Sequence, residues 1–132
     1  MSARRPGAID LVAVSLGGAV GAALRFAIDT AAPDTLFPWP TLGINVAGAF
    51  VLGLLPALAV VRRRVVALAL GPGLLGGFTT VSAWAGQVRQ LADDGHTGLA
   101  GLCVVLTLAA GLAAASLGRH LAHRPEPPGA VG

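Results

Sequence analysis

The feature that most constrains this chain is where its charges are missing. Uncharged runs extend from Leu11 to Leu24, Thr41 to Val61, Val65 to Val88 and Thr97 to Gly118. Three of them reach the roughly 20 residues that a helix needs to cross about 30 Å of hydrocarbon. The first is shorter, and becomes long enough if Asp10 and Arg25 sit near the two interfaces, with Arg25 snorkelling or facing protein. Of the 132 residues, 55% are hydrophobic and only 11% charged, more apolar surface than a soluble domain of this size could bury. The expected fold class is therefore an all-α membrane protein with four transmembrane helices. Residues 1–124 form the four-span domain, and residues 125–132, rich in Pro and Gly, form a disordered cytoplasmic tail.

The first run shares some features with a secretory signal, since Arg4 and Arg5 precede it and "TAA" follows at Thr30 to Ala32. "GGAVG" interrupts it and three similar spans follow, so it is read as a membrane helix.

All nine basic residues are Arg. Threaded through four spans, Arg4, Arg5, Arg62, Arg63, Arg64, Arg119 and Arg124 fall on one side, and only Arg25 and Arg89 on the other. The positive-inside rule then puts both termini and the connection between spans two and three in the cytoplasm, in a multi-pass protein of the cell membrane. A basic chain also suits a nucleic-acid partner, but these Arg residues lie in connections and tails rather than on one soluble face, so none is expected. The first connection, "DTAAPDTLFPWP", combines helix-breaking prolines with Phe37 and Trp39, rings suited to a membrane interface.

Small residues recur at helical spacing: Gly17 and Gly21 in the first span, Gly43 with Ala47 and Ala49 with Gly53 in the second, Gly111 with Ala115 in the fourth. Such stripes let helix backbones approach closely where van der Waals packing, not the hydrophobic effect, holds helices together. They speak to packing rather than to function.

Enzyme chemistry finds no foothold. His96, His120 and His123 fall in a loop or at the cytoplasmic end, Glu126 in the tail, and Cys103 stands alone in the fourth span. "GPGLLGG" has no following Lys and sits inside an apolar run, which excludes a phosphate loop. What remains is a sparse set of neutral polar groups at membrane depth: Asn45, Thr79, Thr80, Ser82, Thr107 and Ser116. A Ser or Thr hydroxyl can bond back to its own helix. The Asn45 carboxamide cannot satisfy both its donors and its acceptor that way, so it faces another helix, as structural glue, or a watery path.

Three stretches together resemble a known family. "GGAVGAALRF" from Gly17, "TLGINVAGAFVLG" from Thr41 and "GPGLLGGFTTVSAW" from Gly71 are similar, in order and spacing, to the signatures of the CrcB/Fluc fluoride channels. The resemblance implies an antiparallel dimer of four-helix subunits, with two fluoride pathways along the subunit interface and a structural sodium ion at its centre. It implies a third helix broken near its middle, at the glycine pair. The backbone carbonyls of Gly76 and Thr79 from both subunits would hold the sodium. A helix interrupted at membrane depth must satisfy its freed carbonyls, which a buried cation does. Asn45, Thr80, Ser82, Trp84 and Thr107 become stations of the anion pathway, because fluoride leaves water only where donors replace its shell. Arg25 either concentrates anions near a pore mouth or anchors the dimer.

The chain departs from the family at one place. Two Phe residues, three apart, usually follow the threonine pair and present positive ring edges to the anion. Val81 and Trp84 stand there; Trp84 still offers an indole N–H, and Val81 offers nothing. Together with the seven-to-two Arg bias, this points to pairing with an oppositely oriented paralogue. Two other functions are open to a chain of this kind. A small proton-coupled multidrug-type transporter needs a membrane-embedded carboxylate, and Asp10 and Asp29 lie only at span edges. A non-conducting scaffold would leave Asn45 unexplained.

Overall fold

The computed structural model describes residues 6–58 and 63–123. The expected tail, and Arg4, Arg5, Arg62 and Arg124 from the charge argument, lie outside the described residues. Helix α1 spans Ala8–Ala31, and the Asp10 carboxylate reaches back to accept from the Gly7 amide at 3.1 Å. Helix α2 spans Trp39–Leu54, with Pro40 in its first turn, where no intrahelical N–H is needed, and it runs on as a 3₁₀ turn, Leu55–Ala57.

The third span is built from pieces: α3 (Arg64–Leu68), a π-helical segment (Ala69–Leu75), α4 (Gly76–Phe78) and α5 (Val81–Asp93). Pro72 lies in the π segment. Its nitrogen has no hydrogen to donate and its ring crowds the carbonyl four residues back, a clash that a wider turn relieves. Thr79 (φ −75°, ψ 154°) and Thr80 (φ −145°, ψ 121°) then leave the helix for extended backbone. The interruption therefore falls on the threonine pair and not on the glycine pair, for Gly76 keeps helical angles (φ −65°, ψ −34°). It occupies two residues, and the span bends only slightly.

Helix α6 spans Thr97–Ala122. The tight turn into it uses Gly95 at φ 84°, a left-handed conformation that a Cβ disfavours, while the Gly95 and His96 amides close on the Ala92 and Leu91 carbonyls. Ala8–Ala31, Trp39–Ala57, Arg64–Asp93 and Thr97–Ala122 are all long and apolar enough to cross a membrane. The chain is an all-helical, multi-pass membrane protein.

Two helix pairs organise the bundle, α1 against the π segment and α4, and α2 against α6. Glycine sets both contacts. A Cβ on Gly17 would collide with the Ala69 carbonyl oxygen and one on Gly21 with that of Leu74; from the other side, a Cβ on Gly77 would collide with the Gly18 carbonyl oxygen and one on Gly73 would come within 3.0 Å of that of Val14. Gly53 likewise meets the Ala115 carbonyl and Gly118 that of Phe50. Gly43 and Gly111 of the expected stripes face open space instead.

Phe37, expected at an interface, is buried among Leu91, Ala100 and Cys103, because the first connection folds back over the α5–α6 contact. Trp39, with its ring centroid 4.6 Å from that of Phe37, stays exposed. The Asp10 carboxylate takes Arg64 Nη2 at 2.9 Å, joining the starts of spans one and three on one side. At the other end Arg25 pairs with Asp29 at 3.6 Å and Arg89 with Asp93 at 3.4 Å.

Candidate functional site

A groove of about 580 Å³ opens on one flank of the bundle beside the interruption. Its walls come from α2, the π segment, the threonine pair, the start of α5 and the middle of α6. The walls are nearly all apolar. The polar groups in them are those of Asn45, Thr79, Thr80, Trp84 and Thr107, with Gly76 contributing backbone alone.

Asn45 and Thr80 form the centre of the site. Asn45 Nδ2 donates to the Thr80 carbonyl at 3.0 Å, and the Thr80 amide donates to Asn45 Oδ1 at 2.9 Å. Thr80 is also the N-cap of α5: its Oγ1 accepts from the Ala83 amide at 3.1 Å and lies 3.4 Å from Ser82 Oγ. Thr79 closes the first half of the span, its amide and its Oγ1 both donating to the Leu75 carbonyl, at 3.0 and 2.9 Å.

These bonds redirect donors. In an uninterrupted helix the Thr80 amide would serve the Gly76 carbonyl and the Ala83 amide that of Thr79. Here the first goes to Asn45 and the second to the Thr80 hydroxyl. The last four carbonyls of a helix normally go without intrahelical donors. Of the four at this break, Gly76 to Thr79, those of Gly76 and Thr79 belong to residues that line the groove, whereas Gly77 packs on α1.

Two further donors are uncommitted. Trp84 Nε1 and Thr107 Oγ1 are both buried and make no hydrogen bond among the described residues. An orphaned polar atom at membrane depth is costly, so both fit a site in which something else accepts from them. Val81 lies at the rim, 75% exposed.

Not every expected residue joins the groove. Ser82 is exposed, beside Thr80 but outside the lining. Arg25 lies toward the C-terminal end of α1, paired with Asp29, with its Nε buried and unpartnered among the described residues. Sequence reasoning passed over Gln87, whose Oε1 is buried and also unpartnered there. It borders a second, polar pocket of about 270 Å³ beside Asp29, Asp34 and Thr41. The available signal was an amide side chain inside an uncharged run, three residues beyond Trp84.

Residues 12–119 match the family described as CrcB-like protein, Camphor Resistance (CrcB). The chain is 43% identical over 119 residues to a protein of Chelativorans sp. named "Fluoride-specific ion channel FluC", covering 85% of this chain and 94% of the relative. It is 40% identical over 120 residues to "Fluoride-specific ion channel FluC 2" of Symbiobacterium thermophilum, covering 86% and 98%. A third relative, from Novosphingobium aromaticivorans, carries the FluC name at 38% identity over 112 residues, 80% of this chain and 89% of its own. With a family match that runs through all four spans and relatives about 40% identical over most of its length, the chain belongs to the CrcB-like family.

Proposed function

We propose that this chain is a subunit of a fluoride-selective passive ion channel that lowers cytoplasmic fluoride by efflux across the cell membrane. The observation that carries this is the groove: in a chain whose relatives are named fluoride-specific channels, Trp84 Nε1 and Thr107 Oγ1 are buried without an acceptor in an otherwise apolar wall. A small anion is an acceptor only. Neutral donors replace its hydration shell without holding it as a fixed positive charge would. Asn45, with one of its two amide hydrogens given to Thr80, has the other for the anion. Thr80 and Ser82 extend the track, and Arg25 acts at its end as an anion attractor or dimer anchor.

The groove is open on one flank, and large apolar side chains such as Leu16, Val105 and Leu112 are exposed around the bundle. Lipid covers most of them, and a second subunit, antiparallel to the first, covers the groove. The Arg bias supports a partner of opposite orientation, a paralogue carrying the aromatic pair, with both termini of this chain in the cytoplasm. A sodium ion fits the donor chemistry of the break. The carbonyls of Gly76 and Thr79 have lost their helical donors, and a hard cation held by them supplies the missing positive charge. This chain's part is to keep those oxygens available and water out of the apolar wall around them.

Neither a multidrug-type transporter nor a scaffold is favoured. Asp10 is bound to Arg64 in the first turn of α1, and Asp29 is paired near the other end, so neither stands at mid-span to trade protons. Expression with its oppositely oriented relative in a bacterium lacking fluoride exporters tests the proposal. Growth in fluoride is the expected result, and unchanged sensitivity despite membrane insertion would contradict it.

A further inference from the structure

We infer that Asn45 is a positioning residue for the cation: by gripping Thr80 it selects the interrupted form of the third span and thereby keeps the Gly76 carbonyl free to bind sodium. The inference rests on the cation reading above and adds a residue that touches no cation.

The grip depends on conformation. In an extended residue the N–H and C=O point to the same side, as in the hydrogen-bonded pairs of an antiparallel sheet, so one carboxamide can engage both. In a helix they point in opposite directions along the axis. Thr80 is extended at φ −145° and ψ 121°, and Asn45 takes both groups, at 2.9 and 3.0 Å, from a helix 35 residues earlier in the chain. Were Thr80 helical, its amide would return to the Gly76 carbonyl, and the two-point contact with Asn45 could not form.

Asn45 and a cation on the Gly76 carbonyl therefore favour the same conformer. Two groups that favour one state of a two-state element are coupled, each strengthening the other's binding. The Thr80 hydroxyl acts in parallel, since it holds the Ala83 amide that would otherwise serve the Thr79 carbonyl. Asn45 thus has two tasks, one amide hydrogen and the carbonyl for the break, the second hydrogen for the groove. Loss of the first task should raise the sodium requirement whether or not an anion is present.

The test is the sodium dependence of thermal unfolding of the assembled channel in detergent, with N-methylglucamine replacing sodium and no fluoride added. For Asn45→Ala the half-saturating sodium concentration should rise about tenfold or more, the scale of losing one to two hydrogen bonds from the competent conformer. Thr80→Val should move it in the same direction. Gly53→Ala, which disturbs only the α2–α6 contact against the Ala115 carbonyl, should lower stability without moving the sodium midpoint. A normal midpoint in Asn45→Ala, with sodium still stabilising the unaltered protein, would overturn this inference and leave the cation reading intact. No sodium response in the unaltered protein would overturn both. Should Asn45→Ala be unfolded without sodium, recovery at raised sodium supports the coupling, and failure to recover at any concentration contradicts it.

Discussion

Gly77 lies so close to Gly18 that a Cβ on Gly77 would collide with the Gly18 carbonyl oxygen. Two glycine pairs at four-residue spacing, Gly17 with Gly21 and Gly73 with Gly77, therefore mesh across one helix contact and hold the third span against α1 next to the interruption. In lipid, where apolar side chains gain nothing by leaving their surroundings, this backbone approach is a main source of packing energy.

Gly77→Ala should accordingly lower thermal stability by about 1–3 kcal/mol, the usual cost of overpacking a fitted contact. Gly101→Ala, on α6 where an added Cβ would meet no neighbouring element within 4 Å, should be neutral or stabilising. Thermal unfolding of both variants in detergent checks the contrast; equal effects would refute the close-contact account. Gly76 behaves differently again. Within one chain it faces open space, so Gly76→Val should weaken subunit assembly, read by size-exclusion chromatography, more than it weakens the fold.

Asn45→Asp should abolish fluoride flux while the protein still assembles. The carboxylate can accept from the Thr80 amide but cannot donate to the Thr80 carbonyl, and its charge opposes an anion. Like charges about 4 Å apart repel by about 4 kcal/mol at an effective dielectric near 20, roughly a thousandfold in occupancy. Electrode-monitored efflux from liposomes measures this, and normal flux would reject a place for Asn45 beside the anion.

Val81→Phe should raise flux through the groove that this chain lines. Val81 is 75% exposed, so a ring there meets no packed neighbour in the chain. Aromatic contacts of about 0.5–1.5 kcal/mol correspond to roughly a two- to tenfold gain. Trp84→Phe, which removes the uncommitted indole N–H, should lower flux. No change in either variant would show that the anion bypasses this end of α5.

Much of this was legible in the charge pattern, because a run without charge over some 20 residues admits few folds other than a span. The Gly17–Gly21 stripe was legible too, but its partner was not. Gly76 and Gly77 read as one motif, and only the geometry separates Gly77, packed on α1, from Gly76, open to the groove. Asn45 was visible as a side chain needing a partner outside its helix; that the partner is the Thr80 backbone depends on how two distant helices meet. Phe37 misled because an aromatic next to prolines has the same local pattern whether it sits at a lipid interface or folds back onto Leu91 and Cys103.

An introduced N-terminal Cys should react with a membrane-impermeant thiol reagent from the cytoplasmic side only. Cys103 is 1% exposed and should give little background. An antiparallel dimer of one sequence needs that sequence to insert both ways, which a seven-to-two Arg bias opposes. Equal labelling from both sides would establish dual topology and remove the need for a second gene product.

Anion efflux from liposomes tests the central claim most directly, with this chain reconstituted alone and together with the proposed oppositely oriented partner. The account predicts passive fluoride efflux far exceeding that of chloride, needing no proton gradient, from the paired preparation, and loss of it in Asn45→Asp. Failure of both preparations to pass fluoride in preference to chloride would contradict it.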